Sequence, residues 1–497
     1  MRLREIAEEL KRNDWLSPKN LVKYILVAVL TLVGYYVVSG SVMGFQALEL
    51  KNQVKEFSHQ LKTGGGASAE AALAVRINKS IVDLNSTLTN PFWSPLTNHF
   101  LADAQSEINL AAQLVRVAPN LLGAQSPKKY LLVFQNPAEA RGTGGIIGAY
   151  AEIQIYRGTI TVLKQGSNVG LKSLNEIPMA MPAEYGNLYG SDPAIWQNSN
   201  MSPHFPYAAG IWSALWADQF SEQLDGVVAT DPIALSYVLK AIGPVTLPSG
   251  EIIDTSNVVS KTLSTAYQRF SNDNIARKDY LVAVMKAVMQ KIIAGNFSRV
   301  NFLRVLQTPL LEHRILLSLA NPVDQAIIAP TIVSGVLSDA PNNEFRSVIQ
   351  NTSGNKLDYY LSRSTKIESL SCKLTAVTRV TETITNTLKS AKGLPDYVVG
   401  RLDLGLAHGA GGRDGFTVMI YGPTGAEAQS VLRSDGTQAS PQLASERGHP
   451  IAIFPSDLAP GASETFNVVF SGGSGRITYE KQPLVLPEKV AIISSCG

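Results

Sequence analysis

Residues 149–164 read AYAEIQIYRGTITVLK, and their alternation decides the fold class. Ala151, Ile153 and Ile155 fall on one face of an extended chain, with Tyr150, Glu152, Gln154 and Tyr156 on the other. A strand produces that period of two and a helix does not. Arg157-Gly158 is a two-residue hairpin connection, and Thr159–Lys164 returns. Upstream, Tyr130–Gln135 is a short apolar strand. Downstream, helical and strand signals alternate: a helix over Tyr207–Ala217, then a strand over Gly226–Ala229. Thr230-Asp231-Pro232 opens the next helix, because Thr or Asp can cap and Pro suits the first turn, and Gly243 ends it. Val245–Ile253 is a hairpin around Pro248-Ser249-Gly250. Ser256–Phe270, Ile275–Ala294 and Val300–Leu306 are helices. Pro182–Pro206, with Tyr185, Tyr189, Trp196, Asn198, Asn200 and His204, reads as a long polar and aromatic loop. The mixture predicts an α/β or α+β central domain over residues 121–345, a mixed sheet flanked by helices.

The texture changes near Lys356. Cys372–Leu388 carries one face through Leu374, Ala376, Thr378, Val380 and Ile384. Further β-prone runs are Phe416–Tyr421, Ile451–Phe454, Thr465–Phe470, Leu484–Leu486 and Val490–Ser494. Turn residues separate most of them, which predicts a β-sandwich over residues 346–497. On the other side of the central domain, one apolar stripe runs Ala47, Leu50, Val54, Phe57 and Leu61. A second runs Ala74, Ile77, Ile81, Leu84 and Leu88, and a third Ala104, Ile108, Ala111, Val115 and Ala118. Each is too short for a free coiled coil, so residues 46–120 are expected to form a helical stalk packed on the next domain.

From Tyr24 to Leu48 no residue is charged. A helix of about 20 residues crosses a hydrocarbon core of about 30 Å, so residues 24–45 are expected to span a membrane once. Arg2, Arg4, Lys11, Arg12, Lys19 and Lys23 precede the span, whereas Lys51, Lys55 and Lys62 follow it. The bias puts residues 1–23 in the cytoplasm and the bulk of the chain outside. The competing reading is a cleaved signal peptide with its site near Ser39–Ser41. Cys372 and Cys496 both follow the span, and an even pair in an oxidising compartment can form a disulfide; two separate buried thiols are the alternative.

Lys plus Arg number 43 and Asp plus Glu 40 in a chain of 497 residues. Six of the bases and four of the acids precede residue 46, which leaves 37 and 36. So even a balance offers no broad positive field, and no nucleic-acid partner is expected. Six His and two Cys exclude a multi-zinc or iron–sulfur protein, and no metal site is expected. H-E-x-x-H, C-x-x-C and G-x-S-x-G are all missing. Ser126-Pro127-Lys128-Lys129 matches S-x-x-K in letters only, since it opens a strand. Gly142–Gly148 misses G-x-G-x-x-G at Ile147 and leads into a strand, so it is no dinucleotide site.

The most informative segment is Asn136-Pro137-Ala138-Glu139-Ala140-Arg141-Gly142-Thr143-Gly144-Gly145. Such a turn can present backbone N–H groups and a guanidinium to an anion; the alternative is a tight structural turn with an internal Glu139–Arg141 pair. YLLVFQNPAEARGTGG (130–145), HFPYAAGIW (204–212), LDGVVATDPIALSYVLKAIGPV (224–245) and the helix pair ending near Gly295 resemble a family of membrane-anchored bacterial proteins known only as a domain of unknown function. The signature N-x-A-E-x-R-x-T-G-G departs only at Ala140, where leucine is usual.

The order of elements is also similar to the LytR–CpsA–Psr glycopolymer transferases, single-pass proteins that face outward and move polyprenyl-pyrophosphate-linked glycans onto peptidoglycan. That resemblance implies that Glu139 and Arg141 take the place of that family's acid and arginine, and that Arg269, Asp273 and Arg277 take the place of its later arginines and aspartate. Two departures stand out. No R-S-D-T follows Arg141, and Gln165-Gly166-Ser167-Asn168 replaces the expected arginine–aspartate pair. Magnesium is implied only if the transferase resemblance holds.

The expectation is an extracytoplasmic protein of the bacterial cytoplasmic membrane that binds or transfers a polyprenyl-(pyro)phosphate-linked glycopolymer. The alternative is a non-catalytic envelope scaffold or binding protein acting through its sandwich and central-domain surfaces. Glu139, Arg141, Arg269 and Arg277 are expected to line one anion pocket, with Asp273 as a counter-ion and Lys278 at its rim. Arg141→Ala is then expected to abolish binding without lowering the melting point.

Overall fold

The computed structural model describes residues 116–494 except 272, 372–375, 407–409 and 434–440, together with isolated positions 49, 52, 53, 56, 76, 79, 80 and 113. The expected span, the N-terminal residues, both cysteines and most of the stalk lie outside the described residues. Two contacts between different stalk segments are described. Arg76 sits 3.5 Å from Glu56, and the Ser80 hydroxyl donates to Gln53 Oε1 at 2.9 Å. Helical positions from the first apolar stripe thus meet positions from the second. A helical turn at 116–121 buries Val117 against the central domain, and the Asn120 amide donates to Asp324.

The central domain is built around β1 (Lys128–Arg141), which pairs antiparallel with β2 (Gly144–Tyr156) and parallel with β4 (Gly226–Thr230). β3 (Thr159–Ser167) extends the sheet beyond β2, and β7 (Leu316–Leu319) closes the other side, giving the mixed order β3-β2-β1-β4-β7. The β2–β3 hairpin turns at Arg157 and Gly158, whose φ values are 50° and 77°. Positive φ at both central residues is what a two-residue type I′ turn requires. β5 (Val245–Thr246) and β6 (Ile252–Ile253) form the small expected hairpin.

Helices cover both faces. α1 (Ala183–Tyr189) and α2 (Phe205–Phe220) lie on one side. There Trp196, Trp212, Trp216, Tyr185 and Tyr189 are all buried. Burying an aromatic or large aliphatic side chain stabilises by about 1.5–3 kcal/mol, so residues 182–206 are a core-forming segment rather than the long loop their polarity predicts. The other face holds α3 (Pro232–Ile242), whose N-cap Asp231 accepts from Ala234 N at 2.7 Å. Beside it runs α4, composed of Val258–Ser260, a π turn at Lys261–Thr265, and Ala266–Arg269. α5 (Asn274–Ala294) packs Val284, Met285 and Val288 against Phe134 and Ala149 of the sheet. α6 (Arg299–Leu311) and α7 (Pro322–Ile328) complete this layer.

The sandwich begins at β8 (Glu344–Asn351), two residues before the expected boundary. Its first sheet runs β13 (Gln442–Glu446), β14 (His449–Leu458), β11 (Asp414–Tyr421), β8, β16 (Thr478–Glu480). Its second runs β12 (Glu427–Arg433), β15 (Ser463–Ser471), β10 (Val377–Asn386), β9 (Leu361–Ser371), β17 (Lys489–Ile493). A short helix, α8 (Asp396–Val399), lies in the loop after β10. The domains do not meet at a wet surface. Val348, Met419, Tyr421 and Ile451 of the sandwich join the tryptophan-rich core of the central domain, and Ala140 of β1 joins the sandwich core.

Candidate functional site

β1 does not stop at Gln135, as its apolar run suggests, but continues to Arg141. Its register against β2 shifts between Asn136, opposite Ile146, and Ala140, opposite Gly145. Pro137, Ala138 and Glu139 therefore bulge out of the ladder, and bulges re-aim side chains. Gly145 is required at this bulge, because a Cβ there would lie 2.1 Å from the Asn136 carbonyl oxygen. The bulge sends Glu139 into the junction between the domains, where Lys356 meets it in a buried ion pair. Burial pushes the Glu139 carboxyl up, but Lys356, Arg141 and Lys278 outweigh it and hold the group below its ordinary value.

Arg141 is fully engaged by the protein itself. Its Nε–H donates to the Gln197 carbonyl and to Asn198 Oδ1, both at 3.2 Å. Nη1 donates to the carbonyls of Ala140 at 2.8 Å and Asn351 at 3.1 Å, and Nη2 donates to Asn198 Oδ1 at 2.7 Å. The Glu139 carboxylate is 3.9 Å away. The Arg141 carbonyl accepts from the Gln482 amide at 2.8 Å. These bonds join the central hairpin, the 197–198 loop and the sandwich, so Arg141 is a fastener and leaves no donor fork for an external phosphate.

Around it lies a buried polar seam. The Ala140 N–H donates to Asp358 Oδ2 at 2.6 Å, and Asn351 Nδ2 donates to the same oxygen at 3.0 Å. Burial raises Asp358 to about 6, and burial together with Asp358 raises Asp414 well above its ordinary value. Two adjacent buried carboxyls cannot both ionise cheaply, so each raises the other's hold on a proton.

Arg277 and Lys278 differ from Arg141. The Arg277 guanidinium lies 3.8 Å from the centre of the Tyr397 ring and 4.9 Å from that of Tyr267. One of its donors reaches Asn274 Oδ1, whereas its buried Nε–H has no acceptor among the described residues. Lys278 is 8% exposed and its ammonium has no hydrogen bond or ion pair among the described residues. Burial lowers its pKa to about 7, helped by Lys356 and Arg277 and opposed by Glu139. Lys278, Leu281 and Met285 fall at helical spacings of three and four, on one face of α5. Leu281 and Met285 line a cleft against the sheet, with Phe134, Ala149, Leu235 and Leu263 as further apolar walls and Gln135, Asn136 and Thr262 as its polar lining. Asn136 Nδ2 donates to Tyr267 Oη at 2.5 Å, which links the cleft to the cation cluster. Thr262 and Leu263 come from the π turn of α4, and π turns within helices are frequent at functional sites. The cleft holds about 40 Å³, room for a few waters.

The structure thus brings Glu139, Arg141, Arg277 and Lys278 to one interdomain region. Arg269 does not join them. It is half exposed, pairs with Glu251 at 2.8 Å and lies over the rings of Phe270 and Tyr280. Asp273 is the N-cap of α5, accepting from Ala276 N at 2.9 Å, rather than a counter-ion in the cluster. The four-residue link between α4 and α5 turns Arg269 and Arg277 to different sides. The sequence pattern does not disclose Lys356, Asp358, Tyr267 and Tyr397. Lys356 lies 217 positions from Glu139, and the signal that points to it is the Asn- and Gly-rich run NTSGNK (351–356) directly after a buried strand. Magnesium of the transferase type would need a free carboxylate beside the cations. Glu139 is committed to Lys356 and Arg141, and among the described residues no three His, Cys, Asp or Glu side chains gather to hold a metal. The residues do not suit that ion.

No curated protein matches the chain. A solved structure of a candidate nutrient binding protein from Legionella pneumophila aligns with 27% of this chain and 43% of its own, at 10% identity and a TM-score of 0.17. The chain spans less than half of that protein, and so low a score carries no argument. Residues 125–267, which include the β1–β2 hairpin, the bulge and the first strands and helices of the central domain, match the family model described as a protein of unknown function, DUF4012.

Proposed function

We propose that this chain is a membrane-anchored extracytoplasmic envelope protein whose central domain binds an anionic amphiphile, with polyprenyl phosphates as the class. One observation carries the reading: Lys278, buried and without a partner, shares a helix face with the apolar wall of the cleft. An ammonium with no hydrogen-bond acceptor among the described residues, on the helix face that also carries the cleft's apolar wall, suits a ligand with a phosphate head and a hydrocarbon tail. A tail enters by displacing the side chains that now fill the cleft, chiefly the flexible Met285. The orphan Nε–H of Arg277 supplies a second donor. Binding is favoured over transfer, because Glu139 and Arg141 are spent on holding the domains together.

The test compares a polyprenyl phosphate with the corresponding polyprenol. Lys278→Met should weaken the phosphate at least tenfold and leave the alcohol unchanged; equal effects on both would reject the site. A second reading, a non-catalytic scaffold, is favoured by the Arg141 fastener alone, and it predicts that neither lipid binds.

The anchor and the disulfide belong to the same proposal. A reporter fused after Phe45 should be exported, and cytoplasmic activity of the fusion would sink the envelope reading. β9 and β17 run side by side in parallel, with Glu368 opposite Ile493. Cys372 and Cys496 follow those residues by four and three positions, which supports a Cys372–Cys496 bond. Non-reducing mass spectrometry that finds both thiols free in exported protein would reject it.

A further inference from the structure

The loop Arg401–Leu406 is built to hold three leucines in solvent. Leu402 is 71% exposed, Leu404 56% and Leu406 45%, within six residues of sequence. The backbone of the loop is fixed. Its ends are joined by paired backbone bonds, Arg401 N to Leu406 O at 2.8 Å and Leu406 N to Arg401 O at 2.9 Å. The buried Arg401 guanidinium grips Asp403 with two bonds of 2.9 and 2.7 Å and reaches Asp457 at 3.0 Å. Gly405 sits at φ 68°, which lets the turn close.

The bases around the loop carry a sign. Arg413 shares Asp457 with Arg401 and is exposed. Lys389 and Lys392 are exposed on the neighbouring turn, whose Leu388 and Ala391 pack against Gly412. The nearby acids are engaged: Asp403 and Asp457 by these arginines, and Asp396 by a contact of its own. Exposed apolar tips beside the exposed ammoniums of Lys389 and Lys392 suit an anionic lipid surface. A protein partner would need far more area than one short loop offers, since stable interfaces bury about 1,200–2,000 Å².

We infer that Arg401–Leu406 is a lipid-contacting tip that seats the sandwich on the anionic surface of the membrane carrying the anchor. The inference rests on the anchored reading above and adds an orientation to it. α8 places Tyr397 over Arg277, and Lys356 lies 4.8 Å from the same ring. Only a few residues separate Tyr397 from Leu402. A tip at the lipid surface therefore holds the cation cluster close to the headgroups, where a polyprenyl phosphate resides.

The experiment uses the full chain reconstituted in phosphatidylcholine vesicles with or without phosphatidylglycerol, their acyl chains brominated to quench tryptophan. Leu404→Trp should add emission over the parent chain that is strongly quenched in the anionic vesicles and much less in the neutral ones. Ile293→Trp, at the far end of α5, should add emission that is quenched in neither. Amides of 401–406 should exchange more slowly in anionic vesicles, and Leu402→Ser with Leu404→Ser should abolish that protection. The doubly substituted chain should still bind polyprenyl phosphate in detergent, so failure of the tip is read apart from failure of the ligand site. Quenching of Leu404→Trp no greater than that of Ile293→Trp overturns the inference. Exchange no slower in anionic vesicles than in lipid-free detergent overturns it too, because the loop's own hydrogen bonds then account for all of its protection.

Discussion

Arg141 and Lys278 are buried almost equally, at 7% and 8% exposure, and both stand near Glu139. Their surroundings are opposite. Arg141 spends its donors on carbonyls and Asn198 from three parts of the chain, whereas the Lys278 ammonium has nothing to donate to among the described residues. Burial lowers the pKa of both, but opposing acids limit the effect at Arg141, while Lys356 and Arg277 reinforce it at Lys278. A charge in the interior is thus a fastener when its bonds are internal, and a site when they are missing.

The comparison breaks most easily at the fastener. Arg141→Ala should lower the urea stability by about 3–5 kcal/mol, the usual loss when one partner of a buried ionic network is removed. An unchanged unfolding midpoint would restore the open anion pocket that the sequence suggests. Lys356→Met should cost about as much, because it strands Glu139. Adding Glu139→Gln should recover part of the loss, and a double variant no better than the single would show that the pair is not the issue.

Lys278 should reveal itself through pH. Its folded pKa, about 7, lies below the unfolded value of about 10.4, so the unfolded chain binds more protons between those limits. Stability should therefore rise from pH 7 towards 10, by on the order of 3 kcal/mol, since a tenfold change in proton affinity is worth about 1.4 kcal/mol. Lys278→Met should flatten that slope. Phosphate binding near pH 8 should take up a proton, which calorimetry in buffers of different ionisation enthalpy measures directly.

The carboxyl pair has the other sign. Asp358 is raised to about 6 in the fold, so the folded chain binds more protons between pH 4 and 6 and stability should fall by about 2 kcal/mol across that window. Asp358→Asn should remove the fall. The smallest effect belongs to Arg269→Ala, whose exposed pair with Glu251 is worth about 0–1 kcal/mol. A loss of lipid binding in that variant would return Arg269 to the site.

How far the fold and the site are legible in the sequence depends on the range of the interactions involved. The β2–β3 turn is written in adjacent residues, as are the Asp231 cap and the α4–α5 pair, and each appears within a residue or two of its expected place. The mixed sheet and the sandwich also follow, since periodicity reports burial. The bulge does not, because it falls beyond the apolar run of β1, in the polar stretch QNPAEAR that reads as a turn. Nor does the partner of Glu139, since Lys356 sits in a polar run that reads as an ordinary turn. The polar stretch 182–206 misleads for a related reason: Tyr185, Tyr189 and Trp196 supply the core, and Ser199 and Asn200 are buried by hydrogen bonds to Ile195, Gln135 and Thr143.

The bond from Gln482 to the Arg141 carbonyl spans 341 positions of sequence. At synthesis rates of about 5–20 residues per second, the hairpin waits roughly 20–70 s for its partner to emerge. Until then the β1 end, with Ala140 and the Glu139 bulge, lacks the completed sandwich core to receive it, although Lys356 emerges earlier. The central domain must therefore mature late and together with the sandwich, and a chain cut short before residue 482 should leave that edge open to chaperones and proteases. Nascent chains of increasing length, probed by limited proteolysis, should stay sensitive around 136–145 until the sandwich closes.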